Sequence, residues 1–245
     1  MESSSEIVAI LGAVAVLLTP SYAVYWVSEI RSALAVRLYR NQALGVGLVA
    51  ASVSIASLYG TGFYFYGGPP EIGFALVQLA TVTLYYWTDA SVRAARRVDP
   101  LLRDTFHWSR LRLLLSALII VALIYVWASV TYDVLNGYTV GATPTGVVLT
   151  ILVYVPVSVP LIAAAAVLPI VGLRSKDPVL RRHLLWFGLF AVSLGVITVG
   201  LGSQLANPLW ALLAEDLGVV VGGYCLYRSA RSLVPLNKLA PSGQG

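Results

Sequence analysis

Two adjacent carboxylic acids, Glu215 and Asp216, sit near the middle of a long apolar run from Asn207 to Ser229. An acid at that depth in a membrane helix costs at least about 2.5–3.5 kcal/mol on insertion scales, so it turns to the bundle interior and marks a functional site by default. The chemistry open to the pair is hydrogen bonding to a buried ligand, or exchange of a proton or cation. No Lys or Arg lies among the apolar residues around them, so no internal ion pair accounts for their presence. Residues three and four apart share a helix face. Glu215 therefore lies beside the ridge Ala214, Gly218 and Gly222, whose small side chains let another helix approach closely. Asp216 is turned by about 100° from it.

Polar stripes on other apolar runs reach a similar depth. Gln78 and Thr81 follow Glu71 at helical spacing, and Ser54, Ser57, Thr61 and Tyr64 form a second stripe. Tyr125 with Ser129, and Thr150 with Tyr154, form a third and a fourth. The candidate ligand- or proton-binding residues are Glu215, Asp216, Gln78, Thr81, Tyr64, Tyr125, Ser129 and Tyr154, expected to converge on a pocket opening outward. The competing reading of the Ser/Thr stripes is hydrogen-bonded packing between helices, worth roughly 0.6 kcal/mol for each bond. Pro156, Pro160 and Pro169 fall within one run, where they bend a helix and free backbone carbonyls.

Other chemistries lack their residues. No catalytic residue is assigned, because no nucleophile–base pair can be assembled within the apolar runs, and no enzyme is expected. A single cysteine, Cys225, and two histidines, His107 and His183, leave no metal site and no disulfide. Both histidines flank arginine-rich turns and are expected at the surface. No cofactor is expected. Covalent retinal needs an intramembrane lysine, and Lys176 and Lys238 lie in a loop and a tail.

The elements that must position these residues follow from composition. Of the 245 residues 58 % are hydrophobic and 11 % charged, against about 25 % charged in soluble domains. Mean hydropathy is +0.83. The fold class is all-α, a polytopic membrane protein of the cell membrane. Seven spans of roughly 20 apolar residues are expected at about 6–28, 43–66, 71–90, 111–132, 146–172, 185–206 and 208–228. They form a single domain over 1–232, followed by a flexible tail over 233–245. The N-terminus lacks the basic region of a signal peptide, so the first run is expected to be retained as a span.

With these spans, all 16 Lys and Arg residues fall on one side, which the positive-inside rule assigns to the cytoplasm. The N-terminus is then outside and the C-terminus cytoplasmic. Nucleic acid is excluded as a partner, because the basic residues fall in short clusters between apolar runs. The lipid bilayer and either a protein partner or a homo-oligomer remain.

Two inner loops repeat one pattern. Asp99-Pro100-Leu101-Leu102-Arg103 precedes Trp108, and Asp177-Pro178-Val179-Leu180-Arg181 precedes Trp186. Asp before Pro caps a helix N-terminus, and each Trp is placed to anchor its helix at the membrane surface. The run from Arg174 to Leu189, with the final span ending Tyr224-Cys225-Leu226-Tyr227-Arg228, resembles the seven-helix N-terminal sensor module of bacterial and archaeal membrane histidine kinases. The resemblance covers the last third of the chain, and no kinase domain follows Arg228. It implies a receptor-like module that senses a small ligand and acts through another chain. A proton- or cation-coupled transporter using Glu215 and Asp216, and an accessory subunit of a membrane complex, are the alternatives.

Overall fold

The computed structural model describes residues 7, 12, 14, 37–105, 107–137, 147–201 and 208–233. Among these there are helices and turns and no strand. Helix α1 is Arg37–Tyr66, α2 Pro70–Val98, α3 Pro100–Thr105, α4 Trp108–Leu135, α5 Val147–Arg174, α6 Pro178–Ser193 and α7 Pro208–Arg231. Between α6 and α7, Leu194–Leu201 continues α6 with π-helical winding.

Among the described residues, four segments are long and apolar enough to cross a membrane: Arg40–Phe63, Trp108–Leu135, Val155–Arg174 and Pro178–Ile197. The expected spans at 71–90 and 208–228 are helical too, as parts of α2 and α7, but both carry ionisable residues. The first expected span, apart from residues 7, 12 and 14, lies outside the described residues. Lipid is the medium these surfaces suit: Leu113 is 73 % exposed, Ile124 67 % and Ile162 65 %.

The helix packing forms a closed ring. In turn, α1 packs on α2, α2 on α5, α5 on α6, α6 on α7, and α7 again on α1. Helix α4 stands outside, mainly against α5. Its buried residues Trp108, Ile119, Ala122, Val126, Val130 and Asp133 form one narrow stripe, the pattern of a helix packed on one side only.

Small residues set the closest approaches. A Cβ at Gly188 of α6 would lie 2.5 Å from the Pro169 ring of α5. One at Gly222 of α7 would lie 3.0 Å from Phe190 and Ser193. The ridge Ala214, Gly218 and Gly222 is buried throughout, as the spacing of small residues implied.

Helix α5 runs unbroken through its three prolines. Proline at 160 has no N–H to give the Pro156 carbonyl four residues earlier. Thr81 of α2 supplies the missing donor, with Oγ1 3.0 Å from that oxygen. The same hydroxyl lies 3.0 Å from Gln78 O and 3.1 Å from Val77 O, and its one proton is shared among the three.

The two repeated turns meet. Asp177 caps α6, accepting from the amides of Val179 and Leu180. Asp99 accepts from Leu101 N at 3.0 Å and, through its other oxygen, from the backbone amide of Lys176 at 3.3 Å. The turns after α2 and after α5 therefore occupy the same end of the bundle. Leu233, expected to open the loose tail, is instead buried in the core, and residues 234–245 lie outside the described residues.

Candidate functional site

A partly open cavity of about 100 Å³ lies between the ring helices. Four ring helices and the π continuation of α6 contribute to its wall: Val53 and Ser57 from α1, Ala80 and Leu84 from α2, Leu161 from α5, Val219 from α7 and Leu194 at the start of the π segment. Most of the wall is apolar. Thr81 and Glu215 are the strongest polar groups on it. Drug-sized ligands occupy pockets of about 300–1,000 Å³, so this space suits a few water molecules, an ion or a molecule of a few heavy atoms.

The adjacent acids face different neighbours, as their roughly 100° separation requires. Glu215 lines the cavity and approaches α1 at Gly60, where a Cβ would stand 3.8 Å from its Oε1. Asp216 turns to Gly12. A Cβ at Gly12 would stand 2.7 Å from Asp216 Oδ2 and 3.7 Å from Thr61 Cγ2. Asp216 is only 6 % exposed, and its Oδ2 has no hydrogen-bond partner among the described residues. The Thr61 hydroxyl, beside it, also lacks one. Buried polar atoms without partners are rare in native structures and call for an ion, a water molecule or a ligand.

Gln78 is 3 % exposed, and neither its amide nitrogen nor its amide oxygen finds a partner among the described residues. It lies one turn from Thr81 on α2. Two of the remaining candidates do not join this centre. Tyr125 and Ser129 are half-buried on α4, outside the ring, because α4 packs mainly on α5. The side chains of Tyr64 and Tyr154 lie outside the described residues.

The Ser/Thr stripes divide into two uses. Ser54, Thr83, Thr88 and Ser193 donate to carbonyls of their own helices, which satisfies them without joining neighbours. Thr81 crosses to α5, and Tyr85 crosses to α4 with its hydroxyl 3.1 Å from both Arg112 O and Ser116 Oγ. Ser91 donates to Gln42 Oε1 at 2.6 Å, tying α2 to α1.

Comparison with known proteins finds no matching protein family, no matching curated protein and no matching solved structure. The reading therefore rests on geometry.

Two polar centres escaped the sequence pattern. Asp89 is 8 % exposed; its Oδ1 accepts from Trp108 Nε1 at 2.8 Å, and its Oδ2 pairs with Arg93 at 2.9 Å and Arg112 at 3.6 Å. Trp108, expected as a surface anchor, is 1 % exposed and serves as an internal strut. Arg93 four residues after Asp89 was the available signal for the pair. His107 is exposed as expected, but His183 is fully buried. Its Nδ1 lies 2.8 Å from Ser229 Oγ, so it joins α6 to α7 rather than facing water.

Proposed function

We propose that this chain is a seven-span, receptor-like protein of the cell membrane, with its N-terminus outside and its C-terminus in the cytoplasm. A small ligand of few heavy atoms, or an ion, binds at Glu215 and Thr81 in the central cavity. Occupancy shifts the packing of α5, α6 and α7, and the basic end of the bundle passes this shift to a partner chain. The observation that carries the reading is the cavity itself, walled by α1, α2, α5, α7 and the π continuation of α6 and presenting one acid. A ligand there touches α5, α7 and the π continuation of α6, and it binds without a cofactor or catalysis.

The orientation is supported by the turns at Asp99 and Lys176, which lie at one end with the arginines around them. A membrane-impermeant amine reagent is expected to label Lys176 in inverted vesicles and not in right-side-out ones. Labelling from outside would overturn the topology.

A second reading, proton- or cation-coupled transport, is favoured by the unpartnered Asp216 Oδ2 beside Thr61 and Gly12. One experiment separates the two. The protein is captured in mild detergent as wild type, as Glu215→Gln, and as Ala80→Leu, which fills the cavity. A stoichiometric cytoplasmic partner whose retention changes in both variants is the expected result. A partner-free protein, with proton uptake into proteoliposomes that Glu215→Gln abolishes, would replace the sensor with the transporter.

A further inference from the structure

At the basic end of the bundle, the N-terminal half of α6 and the last turn of α7 bound a cleft of about 340 Å³, lined by Arg182, Trp186, Arg228, Arg231 and Ser232. We infer that this cleft is a binding site for the phosphate of an anionic phospholipid, whose acyl chains run along the outer groove between α6 and α7.

The arginines are held ready by aromatic rings. The Arg228 guanidinium carbon stands 5.0 Å from the Trp186 ring centre and 6.0 Å from that of Tyr224, and Nη1 donates to the Tyr224 hydroxyl at 3.3 Å. Arg231 repeats the device on Tyr227, with its guanidinium carbon 5.9 Å from the ring centre and a 3.1 Å bond to the hydroxyl. A guanidinium has five N–H donors in a rigid fork suited to phosphate, and each of these arginines spends one nitrogen on a tyrosine. The ring contacts and the tyrosine bonds restrain both guanidinium groups, so less freedom remains to be lost on binding.

Charge points the same way. Among the described residues no carboxylate pairs with Arg182, Arg228 or Arg231. The α7 macrodipole favours cations in its last turn, which accounts for Arg228 and Arg231. It does not account for Arg182, which stands on the opposite wall at the start of α6.

The groove beyond the cleft selects lipid over a soluble anion. Trp186 and Leu189 follow Arg182 on α6 at helical spacing, while Tyr224 and Val221 precede Arg228 on α7 at the same spacing. Leu189 is 47 % exposed, Tyr224 53 % and Val221 37 %. Three cations therefore head a strip of exposed apolar side chains, as a phospholipid has a phosphate above its hydrocarbon. Trp186 and Tyr224 meet edge-to-face, 6.1 Å between ring centres, and form the floor at the junction.

This inference rests on the basic end lying at headgroup level, part of the function proposed above. The test is native mass spectrometry of the full chain released from mixed micelles of phosphatidylcholine and phosphatidylglycerol. Wild type is expected to retain one phosphatidylglycerol preferentially. Arg228→Gln and Arg182→Gln should each weaken retention by about fivefold, the equivalent of one basic residue at a membrane surface. Arg103→Gln, a basic residue outside the cleft, should leave it unchanged. Using both walls protects the test against fraying of the α7 terminus in one variant.

Equal loss in all three variants would reduce the site to diffuse charge and overturn the inference. No preferential lipid, with millimolar inorganic phosphate bound in an Arg228-dependent way, would assign the cleft to a soluble anion and remove the headgroup placement with it. Lipid retention unaffected by either cleft variant would place the lipid elsewhere.

Discussion

Replacing Gly188 with alanine is expected to destabilise the bundle by about 1–3 kcal/mol, the range for overpacking a close contact. The added methyl would meet Pro169 Cγ and Cδ at 2.5 Å and Pro169 N at 3.2 Å. A proline ring is fused to its backbone and cannot swing away, so α5 and α6 must move apart. Gly45 makes an instructive comparison. Its Cβ would come still closer to a neighbour, the Trp87 ring, yet Trp87 is only half-buried and can change rotamer. Gly188→Ala should therefore cost more than Gly45→Ala, although its contact is the longer one. Unfolding in detergent, titrated with dodecyl sulfate, measures both. An equal or reversed order would mean that the α5–α6 seam yields more easily than its geometry implies.

The second large effect is expected at Asp89. Asp89→Leu removes the acceptor of the Trp108 indole, and leaving that buried donor unpaired costs about 1–3 kcal/mol. Arg93 and Arg112 have side chains 43 % and 42 % exposed, so water replaces the lost carboxylate for them and their share is small. Asp89→Asn keeps an oxygen for the indole and should retain most of the stability. The same detergent titration, followed by tryptophan fluorescence, distinguishes the contributions. If Asn and Leu lose equally, the ion pairs rather than the indole bond hold α4 to α2.

Much of the helical frame is legible because hydrocarbon tolerates so few alternatives. Long apolar runs must satisfy their backbones internally, and helices do so. The ends were harder to place. Helix α2 continues to Val98 and α6 begins at Pro178, beyond the expected limits near 90 and 185. Hydropathy reports where lipid stops, whereas the Asp-Pro caps report where winding starts.

Within the site, Glu215 and Thr81 were readable as polar residues that an apolar run would not otherwise carry. Tyr125 and Ser129 obey the same spacing and stand outside the ring, because periodicity gives the face of a helix and not the neighbour it meets. His183 shows the converse. Its arginine-rich surroundings look solvated along the chain, yet Ser229, its partner, comes from a helix 46 residues away.

The winding of Leu194–Leu201 has a mechanical consequence. A π run bonds each amide five residues back rather than four, so its thread is coarser than that of α6 before it. Rewinding one whole turn of that thread to α pitch shifts the register beyond it by one residue, a rotation of about 100°. Leu194 both opens the π run and walls the central cavity, and a Cβ at Gly195 would meet no atom within 4 Å. The segment thus has the geometry of a screw with clearance around its first turn, and pressure in the cavity falls on the place where the thread changes.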